Sequence, residues 1–415
     1  MIYQLHHPSR RSKRTLLRLL FLAIALYLAL DTLLLTRSVP PPQRDPAPSS
    51  PSNHGRIFIA SIHWYNERIL RSHWNKAVVD LVKHLGPDNV YISLIGSKSV
   101  DNTIGALQEL DFQLAQLHVP RSFMMENITH EDQISRTPSP SEPGWIQTSR
   151  GKKELRRIPY LASVRNRVMQ EMDRALADGL GRFDKVLWLN DVVFTTQDVL
   201  TLLSTNAGEY ASTCSFDFSK PPLYYDTFAL RDISGAKTLT QTWPYFLSST
   251  SQHALRLNDP IPVQSCWNGM VAMDATPFYN NTPLRFRGIP DGLAELHLEG
   301  SECCLVHADN PLSASKGVFL NPNVRVGYNA DAYTTVNAPS GWISSRERFR
   351  GIWKLRLVWL LGMPQRIIEN VVVAWRLKRW HGQTSVDGLA NREVGAHCLI
   401  NEMQVLVGND GWKHL

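Results

Sequence analysis

The sequence predicts an α/β protein with a substantially parallel sheet, held to a membrane by a single N-terminal segment. Two patterns carry that expectation. Short apolar runs alternate with apolar residues at helical spacing from Arg56 to Leu189, the signature of strand–helix units. Ahead of them lies one long apolar run, 19–35, separated from the rest by a proline-rich stretch. No internal repeat is visible.

The elements follow in order. Residues 19–30 (LLFLAIALYLAL) are unbroken, and Leu33, Leu34 and Leu35 extend the run past Asp31 and Thr32. At 1.5 Å per residue, 19–35 spans roughly 25 Å, slightly less than the ~30 Å hydrocarbon core. Arg10, Arg11, Lys13, Arg14 and Arg18 precede it without an acid. The positive-inside rule therefore makes 1–18 a cytoplasmic tail and 19–35 the signal anchor of a single-pass type II protein. The alternative is a cleaved signal peptide, for which Thr36-Arg37-Ser38 is a poor cleavage site. Residues 38–52 (SVPPPQRDPAPSSPS) hold six prolines and cannot build a core, so 36–55 is read as a stalk. The sequons at Asn127 and Asn280 fit a lumenal body in the Golgi or another secretory membrane. An oxidising lumen would allow two disulfides among Cys214, Cys266, Cys303, Cys304 and Cys398, leaving one thiol.

The body begins with a strand at 56–62 (RIFIASI), ending in a loop with His63, Asn66 and Glu67. A helix over 69–85, a strand at 90–95 (VYISLI), a helix carrying Leu107, Leu110 and Leu114, and a third strand from Val119 come next. Pro159 opens a further helix with the stripe Leu161, Val164, Val168, Met172, Ala175 and Leu176, and 186–189 (VLWL) reads as a fully buried strand. Beyond Asp191 shorter strands and loops are expected, as for an acceptor region joined to a nucleotide-binding half. The formal charge of +7 is local: 10–18 and 343–382 together carry +12. That leaves the rest mildly acidic and argues against nucleic acid as a partner. Residues 343–415 form a basic, Trp-containing C-terminal region, amphipathic at helical spacing over 343–382, which packs on the body or on the membrane.

In open α/β sheets ligands bind beyond the carboxyl ends of the strands. Asn190 and Asp191 stand at such an end, after VLWL, where a hard carboxylate can hold Mg²⁺ or Mn²⁺ bridging a diphosphate. Asp217 lies in CSFDF, and Tyr225, Asp226, Arg231 and Asp232 follow among aromatic residues, a composition suited to sugar hydroxyls and pyranose faces. Trp267 and Asn268 form a third cluster. Glu302 and His307 flank a short apolar run readable as a strand. G-x-S-x-G, Walker A and HExxH are absent, which removes support for serine hydrolase, P-loop and zincin chemistry.

Six segments carry a family resemblance. LWLNDVVF, CSFDF and YYDTFALRDISG in 186–235, with RRIPYLASVRN (156–166), SCWNGMVAMDATPF (265–278) and GSECCLVHADN (300–310), resemble the fungal capsule-associated α-1,3-mannosyltransferases. The resemblance covers most of 56–328. It implies a GT-A-like fold over 56–342, GDP-mannose as donor, a divalent metal such as Mn²⁺, a mannose-containing glycan as acceptor, and retention of configuration. It places Arg165, Asn190 and Asp191 at the donor, Asp191 and His307 at the metal, Asp217, Asp226 and Glu302 at the chemistry, and Tyr225, Arg231, Trp267 and Asn268 at the acceptor. Two departures are visible: Asn190-Asp191 is not a DxD, and Gly96 stands where the family carries an acid. They favour the alternative of a non-catalytic glycan-binding or scaffolding factor on a degenerate transferase fold.

Overall fold

The structure is a computed structural model and describes residues 10–37, 55–139, 142–339, 341–383, 390–408 and 411–415. Most of the expected stalk lies outside the described residues, as does the first half of the expected cytoplasmic tail. In chain order the elements used below are α1 (Arg10–Arg37), β1 (Ile57–His63), α2 (Asn75–Leu85), β2 (Val90–Ser97), α3 (Thr103–Gln116), β3 (Arg121–Glu126), α4 (Arg157–Ala177), β4 (Lys185–Leu189), α5 (Thr196–Leu203), β5 (Ser212–Lys220), β6 (Leu223–Tyr224), β7 (Arg231–Asp232), β8 (Ile261–Ser265), β9 (Met270–Asp274), α6 (Glu302–Asp309), β10 (Val318–Gly327), α7 (Ser345–Leu361) and α8 (Met363–His381).

Ten strands form one mixed sheet in the order β3-β2-β1-β4-β9-β5-β10-β8-β7, with β6 beside β5. The β3-β2-β1-β4 half is parallel throughout. Antiparallel β9 then joins β4 to β5, and β10 runs parallel to β5. The parallel half matches the sequence pattern because both of its faces are covered. Alternate residues of β1 and β4 split between two cores. Phe58, Val186 and Trp188 pack with Val168 and Met172 of α4. Ile57, Ile59, Leu187 and Leu189 pack with α2, α3 and α5 on the other face. A fully buried strand therefore reads as an unbroken apolar run.

Three local expectations change. The helix over 69–85 is a short turn, Glu67–Ile69, then a π-helical turn, Leu70–Trp74, then α2. In α4 the buried face includes Arg165 and Glu171, whereas Leu176 is exposed. Residues 302–309 are helical, not a strand, because the Ser301 side chain accepts from Cys303 N and caps α6. Gly96 is closely packed: a Cβ there would lie 2.4 Å from Leu107 Cδ1 and 3.2 Å from Ile104 Cδ1 on α3, a packing reason for glycine at this position.

The C-terminal region is also more than one amphipathic unit. α7 and α8 meet at a bend of 59°. Beyond them, Leu399–Ile400 pairs with Glu299–Gly300, and Gln404–Val407 pairs with Gly411–His414 against the body. The disulfides are Cys214–Cys266 and Cys304–Cys398, and Cys303 is a buried free thiol. The second ties α6 to the C-terminal segment. Both sequon asparagines, Asn127 and Asn280, are exposed.

Candidate active site

The motifs meet at the carboxyl end of the parallel strands because they interlock. Ser215 Oγ donates to Asn268 O at 2.5 Å and accepts from Met270 N at 3.0 Å. Asn190 N donates to Gly269 O at 2.9 Å. Gly269 has φ +88°, and a Cβ there would lie 2.4 Å from Val326 Cγ2 and 3.2 Å from Asp217 Cβ, so only glycine serves this turn. The Cys214–Cys266 disulfide closes the same junction.

The cavity built there is about 720 Å³, a size suited to a small ligand. Arg165, Asn190, Tyr225, Asp226, Trp267, Glu302 and Tyr328 are on its wall. Arg165 is sandwiched among Trp267, Trp188 and Phe286, with its guanidinium carbon 4.5, 5.1 and 5.7 Å from the ring centroids. Its Nε donates to Glu302 Oε1 at 3.2 Å. Glu302 Oε2, Arg165 Nη1 and Asn268 Oδ1 are buried without a partner. Arg165 and Glu302 are on the cavity wall, and two orphaned polar atoms there are what a site awaiting a polar ligand presents. Tyr225 is exposed and lies 4.6 Å from Tyr328, centroid to centroid.

The carboxylates differ in setting. Asp191 Oδ2 accepts from Asn66 Nδ2 at 2.8 Å, and burial with no cation beside it pushes its pKa up to about 6. Asp217 is wholly buried. Its Oδ1 accepts from Asn268 Nδ2 at 2.8 Å and Asp226 N at 3.2 Å, and its Oδ2 from Tyr328 Oη at 3.1 Å. Burial first, and the Asp226 charge second, push it to about 7. Asp226 is raised too, mainly by burial, against the Ala229 and Phe228 N–H groups that bind its Oδ1. The Tyr225 hydroxyl is raised by burial and by Asp191, Asp217 and Asp226 together, which places the three negative charges around it.

Three expected assignments are corrected by these contacts. Asp217 is not on the cavity wall; it fixes Asn268, Tyr328 and the 225–226 turn. Arg231 borders the cavity, but its guanidinium is taken up by the backbone carbonyls of Phe228, Leu230, His397 and Cys398, so it shapes the wall without a free fork for a sugar. It forms no pair with Asp232, whose oxygens accept from Ser234, Ala236 and Ser248. His307 is buried inside α6 and bonds Cys266 O through Nε2 at 2.7 Å. Burial lowers its pKa to about 4, and it is not on the cavity wall with Asn190. Trp267 stacks on Arg165, and Asn268 is fully buried behind the wall.

Among the described residues, the two three-ligand clusters are Cys214, Cys266 and His307, and Cys304, His397 and Cys398. Both contain disulfide sulfurs and offer no thiolate pair. A divalent ion that bridges a diphosphate needs only one or two protein carboxylates. Asp191 offers one such carboxylate, bonded by Asn66 and acting with Asp217 and Asp226 on the Tyr225 hydroxyl, beside the cavity wall at Asn190 but not on it.

Several site residues carried no sequence signal strong enough to single them out. Asn66 reaches Asp191 from the loop after β1. Arg157 donates to Gln404 Oε1 at 2.7 Å and stacks 4.4 Å from Trp412. Ile400, Glu402, Gln404, Trp412 and His414 close one side of the cavity. The Asp-Gly dipeptide at 410–411, after the apolar run 405–407, is the sequence signal for a hairpin that could have found this wall.

The body is a mixed α/β sheet with a cavity whose wall carries Asp226, Glu302 and Glu402, and its class comes from the family match. The sequence model of the family described as cryptococcal mannosyltransferase 1 matches residues 56–309. The chain belongs to that family, and it is a glycosyltransferase with a mixed α/β body. No curated protein matches it. Solved structures similar to it include the mannosyltransferase PcManGT from Pyrobaculum calidifontis in complex with GDP-Man and Mn²⁺ (11% identity, TM-score 0.36, 74% of this chain and 67% of that one). S. aureus TarS 1-349 is another (8%, 0.35, 71% and 68%). A third is the mannosyltransferase Ktr4p from S. cerevisiae in complex with GDP (10%, 0.24, 61% and 68%).

Proposed function

We propose that the protein transfers mannose from GDP-mannose to a mannose-containing glycan, forming an α-1,3 linkage with retention. The observation that carries this reading is the Arg165–Glu302 pair, each partner with an unpaired buried atom at a cavity, in a chain of a mannosyltransferase family. Asp191 would hold a divalent ion, Mn²⁺ by preference for hard oxygen. The ion would neutralise charge on the donor diphosphate when bound. Arg165 Nη1 is a fixed donor for a phosphate oxygen, kept in place by three aromatic rings. Glu302 Oε2 supports positive charge at the anomeric carbon. Asp226, raised by burial, is suited to take the acceptor proton. Tyr225 offers an exposed ring to a pyranose face. Asp217 positions rather than reacts.

The same reading places the body in the lumen of a secretory compartment. Leu17–Leu34 is long and apolar enough to cross a membrane. Arg356 on α7 bonds Thr32 Oγ1 at 2.7 Å and pairs with Asp31 near the end of that helix, so α7 would lie where the anchor leaves the bilayer. The basic residues ahead of the span support a type II orientation, and the Golgi is the secretory compartment this reading proposes.

The test is calorimetry of GDP with Mn²⁺ on Asp191→Asn. Asp191→Asn should fold and lose Mn²⁺-dependent GDP affinity. Unchanged Mn²⁺-supported affinity would remove Asp191 from the metal. Wild-type protein that binds GDP-mannose but neither hydrolyses nor transfers from it would favour the non-catalytic alternative.

A further inference from the structure

The cavity beside Glu302 continues past its own wall. Arg231, Lys237, Thr238, Leu239 and Val358 line it and also line a second groove of about 750 Å³ between α8 and the body. Most of that lining is apolar, including Leu247, Met363, Val373, Leu377 and Leu399. Its charged groups are committed elsewhere. Arg231 is bonded to four backbone carbonyls. Lys237 Nζ pairs with Glu369 at 2.6 Å. Arg366 donates to Val358 O and Trp359 O at 2.9 and 2.5 Å. Thr238, Gln365, Asn370 and His397, whose Nε2 is buried without a partner, are the uncharged polar residues of the lining. Over the apolar remainder a polysaccharide would leave hydroxyls facing methyl groups, at the cost of unmade hydrogen bonds. A hydrocarbon chain would not.

The far end of the groove opens at the elbow of α7 and α8, where Gly362, Met363 and Ile367 line it. Leu361, Ile367, Ile368, Val371 and Trp375 are exposed around that opening, and 367, 368, 371 and 375 recur at helical spacing on α8. The basic residues Lys354, Lys378 and Arg379 are exposed on the same two helices. Their acids are engaged: Glu347 in the Ser344 cap of α7, Glu369 with Lys237. An apolar face with unpaired basic residues is complementary to a lipid surface carrying anionic head groups. The α1 contact at Asp31 and Thr32 sets α7 beside the same membrane.

We propose that the groove holds the hydrocarbon chain of a lipid-linked glycan acceptor. Its sugar end lies in the cavity beside Glu302, and its chain leaves at the elbow into the bilayer that the α7–α8 face touches. This rests on the mannosyltransferase reading and names its acceptor class. Ala374 lines the groove from α8, is exposed and takes no part in the cavity.

The full chain in phospholipid nanodiscs is assayed with GDP-mannose and two acceptors, methyl α-mannoside and dodecyl α-mannoside. Ala374→Trp should raise KM for the dodecyl acceptor about tenfold, the worth of roughly two buried methylenes, and leave the methyl acceptor within twofold. Partition into the disc is the same for both proteins and cancels in that ratio. Equal use of both acceptors by the wild type, or no change in Ala374→Trp, overturns the proposal. A dodecyl mannoside carrying a diazirine at its chain end gives a readout that needs no turnover. Adducts on Val373, Leu377 or Leu399, competed by plain dodecyl mannoside, support the groove even if GDP-mannose proves the wrong donor. Adducts confined to Ile368, Val371 and Trp375 mean bilayer contact alone and overturn it, as does labelling that is not competed.

Discussion

Glu302 and Asp217 come from two regions of the site that treat a buried carboxylate in opposite ways. Glu302, on the α4–α6 side, has a cation beside it and one oxygen without a partner. Asp217, in the β5–β9 junction, has no cation, both oxygens bonded and a second acid as neighbour. An open, ion-paired carboxylate can meet charge that develops on a ligand. A closed one, pushed toward the neutral form, holds other groups still. On the proposed function, that difference gives the chemistry to the Glu302 wall and a positioning role to Asp217.

The largest effect tests that division directly. Glu302→Gln should lower kcat by about 10²-fold or more, because it removes a charge that counts most in the transition state. Thermal unfolding must be followed alongside, since the change also leaves Arg165 buried without its anion. A folded Glu302→Gln protein with kcat within threefold of wild type would erase the contrast with Asp217.

Next in size is a pH effect at the rim. Asp191 is raised to about 6 by burial, so it is protonated below that pH and charged above it. Metal-supported GDP affinity should therefore climb about tenfold per pH unit on the acid side and level off above about 6, as expected for one ionising ligand. A flat calorimetric profile from pH 5 to 7 would show that Asp191 is not the group that binds.

The parallel half was legible in the sequence and the site only in part, for a physical reason. Strands such as 186–189 are covered on both faces, so burial writes itself into composition. Asp191 follows from the strand-end rule, and Arg165, Asp226 and Glu302 from the family motifs. The role of Asp217 was not legible, because exposure and bonding of one acid depend on Asn268 and Tyr328, which are 51 and 111 residues away in the chain. His307 misled for a similar reason. Its neighbours are a disulfide and a backbone carbonyl brought in by tertiary packing. The wall at 400–415 was hidden because the basic composition of 343–382 dominated the reading of the whole C-terminal region.

That wall offers a smaller test. Trp412 stacks on Arg157, which lines the cavity and also bonds Gln404. A partly exposed cation–π contact is worth about 0.5–1 kcal/mol. Trp412→Ala should raise KM for a substrate about two- to fivefold and leave kcat near wild type, in contrast to Glu302→Gln. A fall in kcat alone would mean that the hairpin acts on the reacting atoms.

The smallest effect concerns stability and separates Asp217 from Glu302 by sign. The folded protein binds the Asp217 proton more tightly than an unfolded chain does, with a pKa of about 7 against the ordinary aspartate value of 3.8. Proton uptake on folding means that stability falls as pH rises between those values and stays lower above about 7. Asparagine keeps an acceptor for Asn268 Nδ2 without a charge to bury. Asp217→Asn should therefore raise Tm relative to wild type at pH 8 and change it little at pH 4, by only a few degrees in a chain of this size. Glu302→Gln should do the reverse at pH 8, because it strands the Arg165 charge. Tm differences of the same sign for both variants at pH 8 would mean that the two buried acids are held in the same way.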